Sequence, residues 1–385
     1  MNLLRRSSVL LSLVVFSLIV PRIHGADTAT PKQKSEIPEA GDLKLDWAWQ
    51  PLIAGPLFFL SVHRSGAVHI FNRDEKSGDI KFMQSIPLAA DLGRAGTHVD
   101  PYLAFSTKHI LYVAGEWTHA HGDGDAIGLS WYQIDPKNGA FKKLGNIPCA
   151  AGVLYPTPDP NTLYLAAHFA DQIHVIKLDP SDGKPTVAEK ITGKGIGHGL
   201  QFSPDRKFAY SMGGDGTLGW LTCAPDGKLT YAGSLTLPEL KAGKDNLSLF
   251  ISPEGKHVYA ALFKRYDPSD TAYVALLKRD EQSGALSFGE KLPAGSMGGV
   301  GQVTFTPDGR TAYACADPEK PASGLSYIKR DPETGKLSDL TKVPGANPAA
   351  FFAYAPDTGT LYLAGTWSTK TFKIYDALKS PPTKP

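Results

Sequence analysis

One unit recurs six times along this chain: an apolar strand, a tight turn, then a second apolar strand carrying a tyrosine. It reads Phe105-Ser-Thr-Lys up to Tyr112, Thr157-Pro-Asp up to Tyr164, and Phe202-Ser-Pro-Asp-Arg-Lys up to Tyr210. It returns as Ile251-Ser-Pro-Glu-Gly-Lys up to Tyr259, Phe305-Thr-Pro-Asp-Gly-Arg up to Tyr313, and Ala355-Pro-Asp-Thr-Gly up to Tyr362. The tyrosines are 52, 46, 49, 54 and 49 residues apart. A seventh copy, its turn degraded, centres on Leu57–Val62. A period of ~40–50 residues built only of strands marks a β-propeller blade, a unit that buries its apolar faces only against neighbouring copies. The repeat predicts an all-β protein: a seven-bladed β-propeller of four-stranded antiparallel blades.

An even repeat over 385 residues, 42% of them hydrophobic, argues for one closed domain across 42–378 rather than two or three separate ones. The net charge of +2 is spread without a basic or acidic block, which excludes a nucleic-acid or anionic-membrane surface as the organising feature. Arg5 and Arg6 precede an apolar run, Val9 to Val20, followed by the small residues Gly25 and Ala26. This reads as a signal peptide over 1–25, and so as an exported, periplasmic or secreted protein; the alternative is an uncleaved membrane anchor. Residues 26–41 are polar and contain proline, and read as a disordered lead-in; 379–385 read as a flexible C-terminal tail. The three cysteines, Cys149, Cys223 and Cys315, fall in different repeats, so disulfides do not organise the fold; they read as small buried strand residues.

The last repeat runs out after its third strand, Thr371–Tyr375, and the stretch Leu43–Trp49 has no place in a complete first blade. An N-terminal strand, taken as 43–49, is therefore predicted to complete the last blade and close the ring, removing exposed strand edges. With strands A to D in each blade, the A–B and C–D turns share one face. The B–C loops and D–A links share the other. A strands line the central channel, so their starts, with the ends of the B strands, converge on the mouth of that second face, where a ligand site is expected.

Counting four residues back from the end of each A strand gives Pro101, Gly152, His198, Leu247, Gly301 and Ala350. His198 is the only ionisable one, and its flanking glycines clear space for a ligand. A neutral imidazole there suits a general base acting on water; the alternative is a histidine hydrogen-bonded in the channel with no chemical role. His98, Asp100, Asn246, Gln201, Gln302 and Asn347 stand near the same level, and water in the channel would be reason enough for them. On the B–C loops lie His168, Trp367 and Arg265; an arginine at the mouth suits a carboxylate-bearing ligand, or forms a surface ion pair. The loop Gly115–Asp125 carries His119, His121 and Asp123, which suit a metal only if the segment is extended, and otherwise make a polar hairpin loop. No nucleophile elbow, phosphate loop, His-Glu-x-x-His or dinucleotide fingerprint is present.

The repeated Phe-Ser-Pro-Asp-x-Lys-x-x-Tyr units and Asp-x-x-x-Gly-x-Leu third turns resemble the seven-bladed propeller lactonase family, which includes propeller-type 6-phosphogluconolactonases and carboxy-muconate lactonizing enzymes. The resemblance covers roughly 42–378. His198, in His198-Gly-Leu-Gln-Phe-Ser-Pro-Asp205, matches the family's histidine before such a turn, although the fuller His-Pro-His form is missing. The resemblance implies lactone chemistry, with Glu116 and Arg265 in the places of the assisting glutamate and arginines. The expectation is an exported lactonase-like hydrolase, metal-independent and without cofactor, acting as a monomer on a small sugar-type or carboxylated lactone. Its catalytic residues would be His198, Arg265 and Glu116, and its substrate-binding residues His98, Asp100, Gln201, Asn246 and His168. The alternative is a non-catalytic propeller binding a small molecule or partner protein through the same mouth. A metal-dependent hydrolase using His119, His121 and Asp123 is a third reading.

Overall fold

The computed structural model describes residues 30–378, apart from 46–47, 64, 89–97, 119–125, 168–170, 198, 214–215, 238–245, 264–272, 294–299, 317–323, 347–350 and 366–370. Strand β1 is Lys32–Pro38. Blade 1 follows with β2 (Ala48–Ala54), β3 (Leu57–Val62), β4 (Ala67–Arg73) and β5 (Ile80–Pro87). Blade 2 is β6 (His98–Phe105), β7 (Ile110–Thr118), β8 (Ala126–Ile134) and β9 (Phe141–Ile147). Blade 3 is β10 (Gly152–Pro156), β11 (Thr162–Ala167), β12 (Gln172–Leu178) and β13 (Pro185–Thr192). Blade 4 is β14 (Leu200–Phe202), β15 (Phe208–Met212), β16 (Thr217–Cys223) and β17 (Leu229–Thr236). Blade 5 is β18 (Asn246–Ile251), β19 (His257–Phe263), β20 (Tyr273–Arg279) and β21 (Leu286–Pro293). Blade 6 is β22 (Val300–Phe305), β23 (Thr311–Ala316), β24 (Leu325–Arg330) and β25 (Leu337–Lys342). Blade 7 has β26 (Phe351–Ala355), β27 (Thr360–Ala364), β28 (Thr371–Asp376) and, as its fourth strand, β1.

Each blade is an antiparallel meander, and the expected seven four-stranded sheets are all present. The B strands read as apolar runs because both of their faces are covered: β3, β11, β15 and β27 are buried along their whole length. Outer strands alternate instead, as in the half-exposed pattern of β9. Among the described residues the apolar core falls into seven clusters, one at each blade junction. Each large side chain buried there contributes about 1.5–3 kcal/mol.

The ring closes through its N-terminus, but not where the sequence places the closing strand. Residues 32–38 pair with β28, Ile37 opposite Phe372 and Gln33 opposite Tyr375. The strand thus lies within the stretch read as a disordered lead-in. Its polarity has a simple cause: it is an outer strand, and only Ile37 reaches the apolar cluster between blades 7 and 1. Leu43 and Leu45 do a different job, plugging that junction on the way to β2, with the Leu45 N–H donating to Glu39 at 2.7 Å. Buried His69 of β4 holds the same linker through the carbonyl of Lys44, and burial lowers its pKa. Among the described residues no helix is long and apolar enough to cross a membrane.

On the face of the A–B and C–D turns the blades are fastened by the repeated tyrosine. The hydroxyls of Tyr112, Tyr164, Tyr210, Tyr259 and Tyr362 donate to carbonyls of Gly183, Gly227, Gly284, Gly335 and Gly78 at 2.8, 2.6, 3.0, 2.7 and 2.5 Å. Each acceptor glycine lies in the C–D turn of the next blade. Tyr313 meets the C-terminal end of blade 7 instead, accepting the Leu378 N–H at 2.6 Å. At three junctions an arginine ending the C strand joins in: Arg73, Arg279 and Arg330 donate through Nε to Tyr362, Tyr210 and Tyr259 at 3.1, 2.9 and 2.7 Å. Their Nη2 atoms reach the preceding blade's A–B turn, at Asp357, Asp205 and Glu254. Their Nη1 atoms reach carbonyls of their own blade's turn, at Gly55, Gly255 and Gly309. A buried charge costs little only when paired and hydrogen-bonded, and in these three guanidinium groups every nitrogen has a partner.

The cysteine reading holds for Cys315, buried in β23. Cys223 ends β16 half-buried. Cys149 precedes β10 rather than lying in a strand, with its Sγ 3.9 Å from His174 Nδ1.

Candidate functional site at the channel mouth

Inner strands of neighbouring blades pack against one another: β2 touches β26 and β6, β6 touches β10, and β18 touches β14 and β22. His168, His198, Arg265, His119, His121 and Asp123 lie outside the described residues. The strands that lead to them are placed. β11 ends at Ala167, opposite Gly152 at the start of β10, and β19 ends at Phe263, opposite Asn246.

The residues on either side of position 198 form a tight turn. Gly197 and Gly199 form an isolated antiparallel bridge around it, with φ of 119° and 100°. These are values that only glycine adopts without strain, so the backbone turns sharply just before β14. Ser211 Oγ accepts the Gly197 N–H at 3.1 Å and fixes that turn to β15. A side chain at 199 would meet only the hydroxyl of Tyr155, 3.5 Å away. That phenol, at the end of β10 in blade 3, is hydrogen-bonded by the backbone of Leu200. Burial pushes its pKa up to about 12, so it stays a neutral O–H donor at neutral pH.

In blade 2 the register sets Asp100 directly opposite Glu116 across β6 and β7, with His98 opposite Thr118 two positions nearer the mouth. The amides divide. Gln302 Oε1 accepts the Phe352 N–H at 2.9 Å, and Gln50 does the same for Leu103 at 2.7 Å. Both brace one inner strand to the next. Gln201 is half-buried, and its carboxamide makes no hydrogen bond with a described group. It lies two residues down the strand from Gly199, about 7 Å at the rise of a strand, so it lines the channel below the mouth rather than at it.

Tyr155 and Trp49 were not singled out by the sequence. Trp49 sits in β2, four residues before Ile53, and Ile53 opposes Phe58 as Phe202 opposes Ala209. The register slips by one residue between Ala48 and Pro51, so Ala48, not Trp49, lies opposite Val62, four rungs beyond the Ile53–Phe58 pair. The signal for Trp49 was the repeat itself, obscured by the degraded first turn Ala54-Gly55-Pro56.

Seven four-stranded antiparallel sheets following one another along the chain define a seven-bladed β-propeller. The sequence model of the lactonase seven-bladed β-propeller family matches residues 153–352, just over half of the chain, and the protein belongs to that family. No curated protein matches it. A protein of Bacteroides fragilis provisionally assigned as a 6-phosphogluconolactonase is 22% identical, with a TM-score of 0.59, over 80% of this chain and 83% of that one. The periplasmic gluconolactonase of Pseudomonas aeruginosa is 18% identical, with a TM-score of 0.59, over 76% and 83%. The Cps50 (Swd1) β-propeller domain of Myceliophteria thermophila is 12% identical, with a TM-score of 0.56, over 90% and 100%. At such identities the likeness is one of fold alone.

Proposed function

We propose that this protein is an exported lactonase-like hydrolase that opens a small sugar-type or carboxylated lactone at the channel mouth. The observation that carries the reading is the backbone flanking position 198 in a chain of the lactonase family: Gly197 and Gly199 both take positive φ, and Gly199 lies beside the neutral phenol of Tyr155 at the start of an inner strand. In the proposed reaction His198 takes a proton from water, and the hydroxide adds to the lactone carbonyl carbon. Tyr155 O–H and Arg265 stabilise the oxyanion that forms. Collapse breaks the ring C–O bond, the leaving alkoxide takes the proton back from the imidazolium, and a hydroxy acid is released. Asp100 and Glu116 hold the substrate's hydroxyl groups, assisted by His98, Asn246 and His168. The names of the two lactonase-type neighbours, one of them periplasmic, favour a sugar lactone and export.

The test is hydrolysis of a panel of aldono- and muconolactones by the mature protein beside His198→Ala, each with and without chelator. The variant is expected to fold equally well and to lose about 10²–10⁴-fold in kcat, with no effect of chelator. Loss of turnover on chelation would move the chemistry to His119, His121 and Asp123. No turnover of any lactone would overturn the reading and leave a binding propeller.

A further inference from the structure

We propose that Cys149 and His174 form a two-ligand site for a soft monovalent metal cation of the copper(I) type, at the junction of blades 2 and 3. Cys149 lies in the link that leads from blade 2 into blade 3. His174 is the third residue of β12 and by alternation shares a face with Ile176 and Leu178, which belong to the apolar cluster of that junction. Cys149 packs against the same cluster, with its Sγ 3.9 Å from His174 Nδ1. The thiol is half-buried, and His174 is 4% exposed. Its Nε2 is buried and has no hydrogen-bond partner among the described residues.

Blade 1 shows a histidine at this level that hydrogen bonds explain completely. His69 is the third residue of β4, as His174 is of β12, and both of its nitrogens are used. Nδ1 meets Ser85 Oγ at 2.7 Å, and Nε2 meets the Lys44 carbonyl. Lys44 belongs to the link that enters blade 1, as Cys149 belongs to the link that enters blade 3. Ser85 stands opposite His69 across the sheet, and Lys190 stands opposite His174. In blade 3 a lysine takes the place of the serine and the link presents a thiol. The imidazole of His174 therefore has neither of the partners that hold His69, and meets only the sulfur. A buried polar group left in that state calls for an ion, a water or a chemical role.

The charges select a monovalent ion. Burial pushes the Cys149 thiol up to about 11 and lowers His174, so near neutral pH the pair is a thiol beside a neutral imidazole. On binding, the S–H bond breaks, a sulfur–metal bond forms, the proton leaves to solvent, and the imidazole nitrogen lends its lone pair. A monovalent ion replaces that proton charge for charge and leaves the site neutral. A divalent one would leave a net positive charge near Lys190, whose ammonium already disfavours positive charge on His174. Sulfur and imidazole together suit copper(I). At about 2.3 Å to sulfur and about 2.0 Å to nitrogen, the 3.9 Å gap subtends about 130° at the metal. That angle leaves room for one ligand from outside. Structural zinc takes a tetrahedron of protein ligands, and no group of three or more His, Cys, Asp or Glu side chains is gathered among the described residues.

The probe is copper(I), kept reduced under anaerobic conditions and titrated into the mature protein against a chromophoric copper(I) chelator, with zinc(II) in a parallel titration. The unaltered protein is compared with Cys149→Ser, His174→Phe and Cys223→Ser, with a melting curve for each. One equivalent of copper(I) is expected in the unaltered protein and in Cys223→Ser. In Cys149→Ser and His174→Phe the affinity should fall by more than the about 10–100-fold that loss of a supporting hydrogen-bond partner costs a metal site. X-ray absorption at the copper edge supplies a reading that needs no variant: one sulfur and one imidazole nitrogen bound to the metal in the unaltered protein. No binding overturns the inference, as does equal affinity in Cys149→Ser or in His174→Phe, or zinc(II) held more tightly than copper(I). A loss confined to Cys223→Ser places the metal on another thiol and overturns it too. Lactone turnover at the mouth is read separately and stands or falls independently of every one of these outcomes.

Discussion

Arg330 shows how much a single side chain does on the fastened face. Arg330 is 4% exposed, and its guanidinium bonds Tyr259, Glu254 and Gly309 at once. Arg330→Met takes one charged donor from the half-buried Glu254 carboxylate and from the buried Tyr259 hydroxyl, and should cost about 3 kcal/mol in urea unfolding. Tyr210→Phe, which removes one hydroxyl between Arg279 and Gly284, should cost about 1–2 kcal/mol. Glu254 gives this face a pH signature. Burial would raise its pKa, but hydrogen bonds from His257, Ser252 and Arg330 outweigh that and hold it at about 2, against 4.5 ordinarily. A depressed carboxyl stabilises the fold above its unfolded pKa and loses that contribution as pH falls toward the folded one. The melting-temperature gap between the native protein and Glu254→Gln should therefore be constant above pH 4.5 and close as pH falls toward 2. A gap unchanged across that window would exclude this role. The arginines can be read in the sequence as the residue before each third-turn aspartate, in Arg73-Asp74, Arg279-Asp280 and Arg330-Asp331. Their partners cannot, because Tyr210 and Arg279 are 69 residues apart and meet only once two blades are stacked.

At the scale of the element, turn chemistry made most of the fold legible. In blade 4 the strands Phe208–Met212 and Thr217–Cys223 lie where Pro-Asp and Gly-rich turns bound them. The glycines of those turns differ in what they cost to replace. Gly284, at φ 72°, faces Phe208, and an added Cβ would lie 2.2 Å from that ring. Gly359, at φ 63°, has open space around it. Gly359→Ala should cost about 1 kcal/mol, the backbone penalty alone, and Gly284→Ala at least about 2 kcal/mol more, because the ring must move. Equal losses in thermal unfolding would show that the contact gives freely. Strand β1 was not legible, since Lys32-Gln-Lys-Ser-Glu-Ile-Pro38 carries one apolar residue and an outer strand requires no more. The mouth was legible only in part. Position 198 announced itself through its glycines. Trp49 belonged to the repeat with the degraded turn Ala54-Gly55-Pro56, and Tyr155 reaches Gly199 from a neighbouring blade.

At the scale of the molecule, the ring holds because its two ends meet in one blade. β1 pairs along the whole of β28, and Lys34 reaches on to blade 1, forming an ion pair with Asp79 at 2.8 Å. Deleting residues 30–38 should leave β28 as an open edge and release the blade 7–blade 1 junction. Size-exclusion chromatography should then show oligomers or aggregate where the intact chain runs as a monomer. A monomeric, equally stable deletion variant would show that the Arg73–Asp357 pair and the tyrosine fastenings close the ring unaided.

That closure also sets a clock. Strand β1, made before any of the blades, must wait for β28, so the contact that closes the ring joins residues 32 and 376. Such distant pairings are slow to form. Blades 1 to 6 can stack in order of synthesis as an open arc, but a nascent chain cannot finish folding until residue 376 is free to meet residue 32. A chain interrupted earlier keeps a solitary strand at one end and an unmatched blade face at the other, a form that quality-control proteases can tell from the finished ring.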